Sequence, residues 1–108
     1  TTAGVGNVFD GNNFDGFYYY GIYGYYQDSL IIKNNVISDG TSASYPRGLY
    51  LYYCSGYQEI IGNTITMTPT SYSYAVYMYR NTATAANKGT FANNMITIDG
   101  GTSTNYGI

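Results

Sequence analysis

The chain has 108 residues, a formal net charge of −2 and only 9% charged side chains, against roughly a quarter in an ordinary globular domain. No basic patch recommends a nucleic-acid partner, and no histidine is present to serve as a general base or metal ligand. The single Cys54 excludes an internal disulfide and a cysteine-based zinc site, and no apolar run approaches the roughly 20 residues of a membrane span. The residues in excess are Tyr and Gly, 16 and 14 of them, with many Asn, Thr and Ser. Such a mixture favours strands and tight turns, and a 19% aromatic content argues against disorder.

In chain order, the same events recur. Val5-Gly6-Asn7-Val8-Phe9-Asp10 opens the series, and Gly21-Ile22-Tyr23-Gly24-Tyr25 is an alternating strand. A second strand, Leu30-Ile31-Ile32, leads through a tight Asn34-Asn35 turn into a third, Val36-Ile37, and then a polar loop from Asp39 to Ser44. Gly48-Leu49-Tyr50-Leu51-Tyr52 repeats the first strand, and Ile61-Gly62-Asn63-Thr64-Ile65-Thr66 repeats the turn block. Ala75-Val76-Tyr77-Met78-Tyr79, a longer turn from Arg80 to Lys88, and Ala92-Asn93-Asn94-Met95-Ile96-Thr97 form the next round, and Gly107-Ile108 begins another.

With Asn7, Asn35, Asn63 and Asn94 as anchors, the steps are 28, 28 and 31 residues. Self-similarity at such a period is the signature of a repeat architecture. Three short strands per period leave no room for helical periodicity. The expectation is an all-β fold: a single-stranded solenoid of about four coils of 27–31 residues spanning 1–108. Stacking sets equivalent residues about 4.8 Å apart, so Ile32, Ile60 and Phe91 should form one inner column and Phe9, Ile37, Ile65 and Ile96 another. Thr1 to Val5 enters just before a turn and Gly107-Ile108 stops within a strand, neither with a cap. Hence the chain is expected to be part of a longer solenoid, or to be covered at its ends by another molecule.

These blocks resemble the right-handed parallel β-helix repeat family, which includes pectate lyases, polygalacturonases, phage tailspikes and many bacterial surface proteins. The likeness covers essentially the whole chain. Its most specific part is the strand–Asn-Asn–strand block. The resemblance implies that Asn7, Asn35, Asn63 and Asn94 stack as an internal ladder, each amide satisfying its neighbours. The asparagines would also tolerate positive φ in a turn. An extracellular or cell-surface location is implied as well.

The chemistry of the family's enzymes is not visible. The acids Asp10, Asp15, Asp28, Asp39, Glu59 and Asp99 form no pair of the kind glycoside hydrolysis needs. The Asn-Thr-Asp, Asp-Asp and Gly-His-Gly motifs of the polygalacturonases are missing. Asp10, Asp39 and Asp99 each precede Gly and are expected on one edge of the solenoid, as turns rather than a calcium row. Catalytic residues, metal ligands and cofactors are therefore expected to be none. Cys54 is expected to be a buried bystander, and Arg80 a turn cation.

Alternation singles out one face. With Ile22, Leu49 and Val76 inward, Tyr23, Tyr50, Tyr77 and Tyr25, Tyr52, Tyr79 point outward in two columns. Tyr26 and Tyr53 should turn inward or occupy a corner. Two readings of the face stand side by side: stacked rings that stabilise neighbouring rungs, or an aromatic strip that binds a glycan or another protein. The function expected is a non-catalytic structural or adhesive segment of a secreted or surface protein. The alternatives are a piece of a polysaccharide lyase or hydrolase whose active site lies in other coils, and an end-to-end self-assembling fibre or surface-layer component.

Overall fold

The computed structural model describes residues 2–38, 45–100 and 104–108. The Asp39–Ser44 loop anticipated above falls outside that set. Among the described residues every regular element is a strand. β1 (Gly4–Val5) leads into β2 (Val8–Asp10), β3 (Asn13–Asp15), β4 (Tyr20–Tyr25) and β5 (Gln27–Asp28). Next come β6 (Ile31–Lys33), β7 (Val36–Ser38) and β8 (Arg47–Tyr52), then β9 (Glu59–Ile61), β10 (Thr64–Met67) and β11 (Ser73–Tyr79). The last round is β12 (Thr90–Ala92), β13 (Met95–Ile98) and β14 (Asn105–Tyr106).

The strands pair only with their equivalents one coil away. Three four-stranded parallel sheets result, ordered β12-β9-β6-β2, β13-β10-β7-β3 and β14-β11-β8-β4, with β1 beside β5 at a corner. This is a parallel β-helix of four rungs, with about three turns of rise between the first and the last. Each strand is too short to bury a face alone, and stacking supplies the missing contact. The core is a set of aliphatic columns: Ile22, Leu49 and Val76 share one register, and Ile32 and Ile60 share another, all at most 3% exposed.

The corners show why particular residues recur. Gly11, Asn34, Gly62 and Asn93 all have φ between 53° and 67°, the left-handed region that Gly and Asn tolerate best. At the bend inside the tyrosine strands, two successive residues point inward, Gly21-Ile22, Gly48-Leu49 and Ala75-Val76. A side chain on Gly48 would meet Ile65 Cγ2 at 2.7 Å and the Ala75 carbonyl at 2.8 Å, so the inner corner holds only the smallest residues.

The first coil corrects the sequence register. Asn7 does not belong to the asparagine column; Asn12 does, donating its backbone N–H to Asn35 Oδ1 at 2.9 Å. Asn7 sits one corner earlier, where its side chain donates to Gln27. Likewise Phe9 pairs with Ile32 and Phe14 with Ile37, so Phe14 takes the place assigned to Phe9. The cause is imitation: Gly6-Asn7-Val8-Phe9 repeats the pattern of Gly62-Asn63-Thr64-Ile65. Only the stacking partner distinguishes them. Asp10 and Asp99 also part company, since Asp10 ends β2 and Asp99 follows β13 in a different sheet; Asp39 lies outside the described residues.

Beyond Asn12 the ladder is as expected. Asn35 donates through both its backbone N–H and Nδ2 to Asn63 Oδ1, at 3.0 Å each. Asn63 does the same to Asn94 Oδ1 at 2.9 Å. The second Nδ2 proton of Asn63 goes to the Ile32 carbonyl at 2.9 Å. Asn35 and Asn63 are 1% exposed, and every polar group of these buried amides is satisfied.

Candidate functional site: the tyrosine face

The outer face of the sheet β14-β11-β8-β4 carries most of the tyrosines. Tyr23, Tyr50 and Tyr77 are in register, as are Tyr25, Tyr52 and Tyr79. Both expected columns are therefore brought together on one surface. Tyr23 and Tyr25 on the first rung are exposed, and the four rings above them are half-buried. Tyr26 and Tyr53 take the corner rather than the interior. Their φ values are 48° and 54°, and their rings lie 5.1 Å apart and parallel within 1°.

A third column escaped the sequence reading: Tyr20, Arg47, Tyr74 and Tyr106. The two successive inward residues at the bend break the alternation, so a residue three before Tyr23, Tyr50 or Tyr77 also faces outward. The readable signal was the run Gly21, Gly48 and Ala75 just ahead of Ile22, Leu49 and Val76, which marks a bend too tight for larger side chains.

Arg47 is the centre of this face. Its guanidinium lies 4.8 Å from the Tyr50 ring centroid, 4.9 Å from Tyr77, 5.6 Å from Tyr74 and 5.7 Å from Tyr20. Each distance is within cation–π range. Among the described residues the ion pair is Lys33 with Glu59, on another sheet, and Arg47 has no carboxylate partner. Its Nε is buried without a hydrogen-bond acceptor. Arg80, at the corner above Tyr53, donates from Nη1 to Tyr53 Oη at 2.6 Å and lies over the Tyr79 ring at 5.3 Å. It is an ordered part of the face. The described acids Asp10, Asp15, Asp28, Glu59 and Asp99 all lie off the strands of this sheet.

Ring orientation decides what the face can offer. Tyr23 and Tyr50 are 4.9 Å apart at 18°, and Tyr52 and Tyr79 are 5.1 Å apart at 9°. In these two pairs the π faces cover one another along the solenoid axis, whereas Tyr77 meets Tyr50 at 68° and Tyr25 is tilted 31° from Tyr52. Burial, then neighbouring phenols, pushes the Tyr23 hydroxyl above its ordinary value of 10.0. Burial does the same for Tyr50, partly opposed by Arg47. Both shifts favour the protonated hydroxyl, which can donate a hydrogen bond.

Cys54 is fully buried, and desolvation raises its thiol. Among the described residues no three His, Cys, Asp or Glu side chains gather, and no helix is long and apolar enough to cross a membrane.

A parallel solenoid with an internal asparagine ladder and a patterned outer face is a β-helix repeat protein. A family model described as periplasmic copper-binding protein (NosD) matches residues 2–106, and the chain belongs to that family. Comparison with curated proteins and with solved structures finds no match. The family's description implies copper, and the residues present do not fit it. Copper favours imidazole, thiolate and thioether donors. This sequence has no His, its one thiol is buried, and its three methionines are dispersed: Met67 in the core, Met78 on β11 and Met95 on β13.

Proposed function

We propose that the chain is a non-catalytic β-solenoid scaffold that works outside the cytoplasm, and that its tyrosine face is a contact surface for a polysaccharide. The observation that carries the binding part is Arg47. A guanidinium with no carboxylate partner among the described residues is held in place by four rings at the centre of a lattice of phenol hydroxyls. Pre-positioned donors lose little entropy when a ligand docks, and a guanidinium reads a carboxylate or sulfate in bidentate fashion. The scaffold part rests on the ladder, the aliphatic columns and the scattered acids. The location rests on the family's description as periplasmic.

Where ring faces are covered, as in the Tyr23–Tyr50 and Tyr52–Tyr79 pairs, the contacts run through hydroxyls and ring edges. The test is a glycan array probed with the protein, with Tyr50→Phe/Tyr52→Phe and Arg47→Met. Loss of binding in the phenylalanine double variant is expected, since it removes two hydroxyls and keeps the rings. Preference for acidic over neutral glycans should vanish in Arg47→Met. Undiminished binding in both variants would remove the tyrosine face from the proposal, and binding to no glycan would remove the polysaccharide.

A further inference from the structure

We propose that the tyrosine columns are a modification site, at which one-electron oxidation joins adjacent rungs through dityrosine. The ligand class required is an oxidant of the peroxidase–hydrogen peroxide kind. Each of two phenols gives up one electron and its hydroxyl proton. The two phenoxyl radicals couple through ring carbons ortho to oxygen, one C–C bond forms, and each ring then returns its ortho proton to the phenol oxygen. The two electrons and two protons released reduce one peroxide to two waters.

Four observations place the reaction here. First, coupling needs two radicals to meet, and the fold holds candidate partners side by side: Tyr26 and Tyr53 at 5.1 Å, Tyr52 and Tyr79 at 5.1 Å, Tyr74 and Tyr106 at 4.9 Å, all within 9° of parallel. Holding two reactants together turns a second-order encounter into an intramolecular one. Second, the rings of the first rung are open to solvent. Tyr23 and Tyr25 are 46% and 48% exposed, which gives an oxidant access. Third, two competing one-electron donors are removed: the protein has no Trp, and Cys54 is buried. Fourth, the rings form a continuous set from Tyr18 and Tyr19 through Tyr20, Tyr23, Tyr50 and Tyr77 to Tyr74 and Tyr106, with neighbouring centroids 4.6–6.2 Å apart. A radical formed anywhere on the face therefore has a second phenol beside it.

The consequence is a covalent rung-to-rung staple in a chain whose single cysteine rules out an internal disulfide. A Tyr23–Tyr50 link would close a loop of 27 residues and restrict the unfolded ensemble as a disulfide of that span does.

Tyr106 makes the test clean, because it is the one tyrosine beyond Lys88. The protein in dilute solution is treated with peroxidase and hydrogen peroxide, digested with trypsin, and examined by mass spectrometry for linked peptides lacking two hydrogens. The expected product joins peptide 89–108 to peptide 48–80, which holds Tyr74, with dityrosine fluorescence and a raised denaturation midpoint. Tyr106→Phe should abolish that product and leave links between 1–33 and 48–80 intact. The chain unfolded in urea should instead spread Tyr106 links over 1–33, 34–47 and 48–80. The same spread in the folded protein, links only between molecules, or no links at all would each overturn the proposal.

Discussion

Asn35 places both its backbone N–H and its side-chain amide on one atom of Asn63, Oδ1, at 3.0 Å each, across 28 residues of sequence. Both residues are buried, so the pair is a test of how much the ladder stabilises the stack. Asn63→Ala removes an acceptor shared by two donors and strands the Asn35 N–H and one Asn35 Nδ2 proton. Unsatisfied buried groups cost about 1–3 kcal/mol each, and the expected loss is about 2–4 kcal/mol. Asn7→Ala, outside the ladder and exposed, should change stability by less than about 0.5 kcal/mol. Urea denaturation of both variants checks this. Equal losses would mean that the ladder contributes nothing particular.

Arg47, which has no ion pair among the described residues, predicts a stability effect through its rings. Arg47→Met keeps the stem and deletes the cation between four rings. One to two kcal/mol is a reasonable scale for a partly desolvated cation–π site, so a loss of about 1–2 kcal/mol is expected, with an altered near-UV tyrosine circular dichroism signal. Arg47→Lys should not restore wild-type behaviour, because an ammonium cannot lie flat between rings as a guanidinium does.

Alkaline pH should loosen the tyrosine face. The Tyr23 and Tyr50 phenols are raised above 10.0 in the folded chain. A raised acid favours the protonated folded form, so its contribution is full below about pH 10 and is lost as pH climbs through the folded value. Thermal midpoints should hold from neutrality to about pH 9 and fall above pH 10. On the acid side, hydrogen bonds from Lys33 and Tyr57 lower Glu59 below 4.5. Its contribution is present above that value and fades as pH falls further, and the site is exposed enough that the drop should be small. A midpoint rising between pH 10 and 11 would contradict the burial of the phenols.

Copper offers a direct check on the donor inventory. Equilibrium dialysis against Cu(II), and against Cu(I) under reducing conditions, should leave no stoichiometric metal on this chain. Cys54→Ser should behave identically. One equivalent of copper retained, and lost in Cys54→Ser, would show that the core opens to present the thiol.

Much of the fold was legible because a solenoid repeats its demands. An inward position buried between rungs must be aliphatic each time, so Ile32 and Ile60, or Ile22, Leu49 and Val76, stand out at a constant spacing. The paired tyrosine columns followed from the same alternation. Two things were not legible, for different reasons. The register of the first coil was ambiguous because Gly6-Asn7 and Gly11-Asn12 are both acceptable corner pairs. Hydrogen bonding to Asn35 chooses between them, and that is a long-range fact. The column of Tyr20, Arg47, Tyr74 and Tyr106 was missed because strict alternation was carried through a bend, where Gly21-Ile22, Gly48-Leu49 and Ala75-Val76 each turn two residues inward.

The asparagine column has a direction. Asn35 Oδ1 accepts from Asn12, Asn63 Oδ1 from Asn35 and Asn94 Oδ1 from Asn63, so each amide oxygen faces the preceding rung. Aligned carbonyls add, as they do along a helix axis, and hydrogen bonds in series polarise one another. The interior of this all-β protein therefore carries a small electrical polarity, negative toward the first rung. A lysine introduced beside Asn12 would meet the favourable pole, and an aspartate there the unfavourable one.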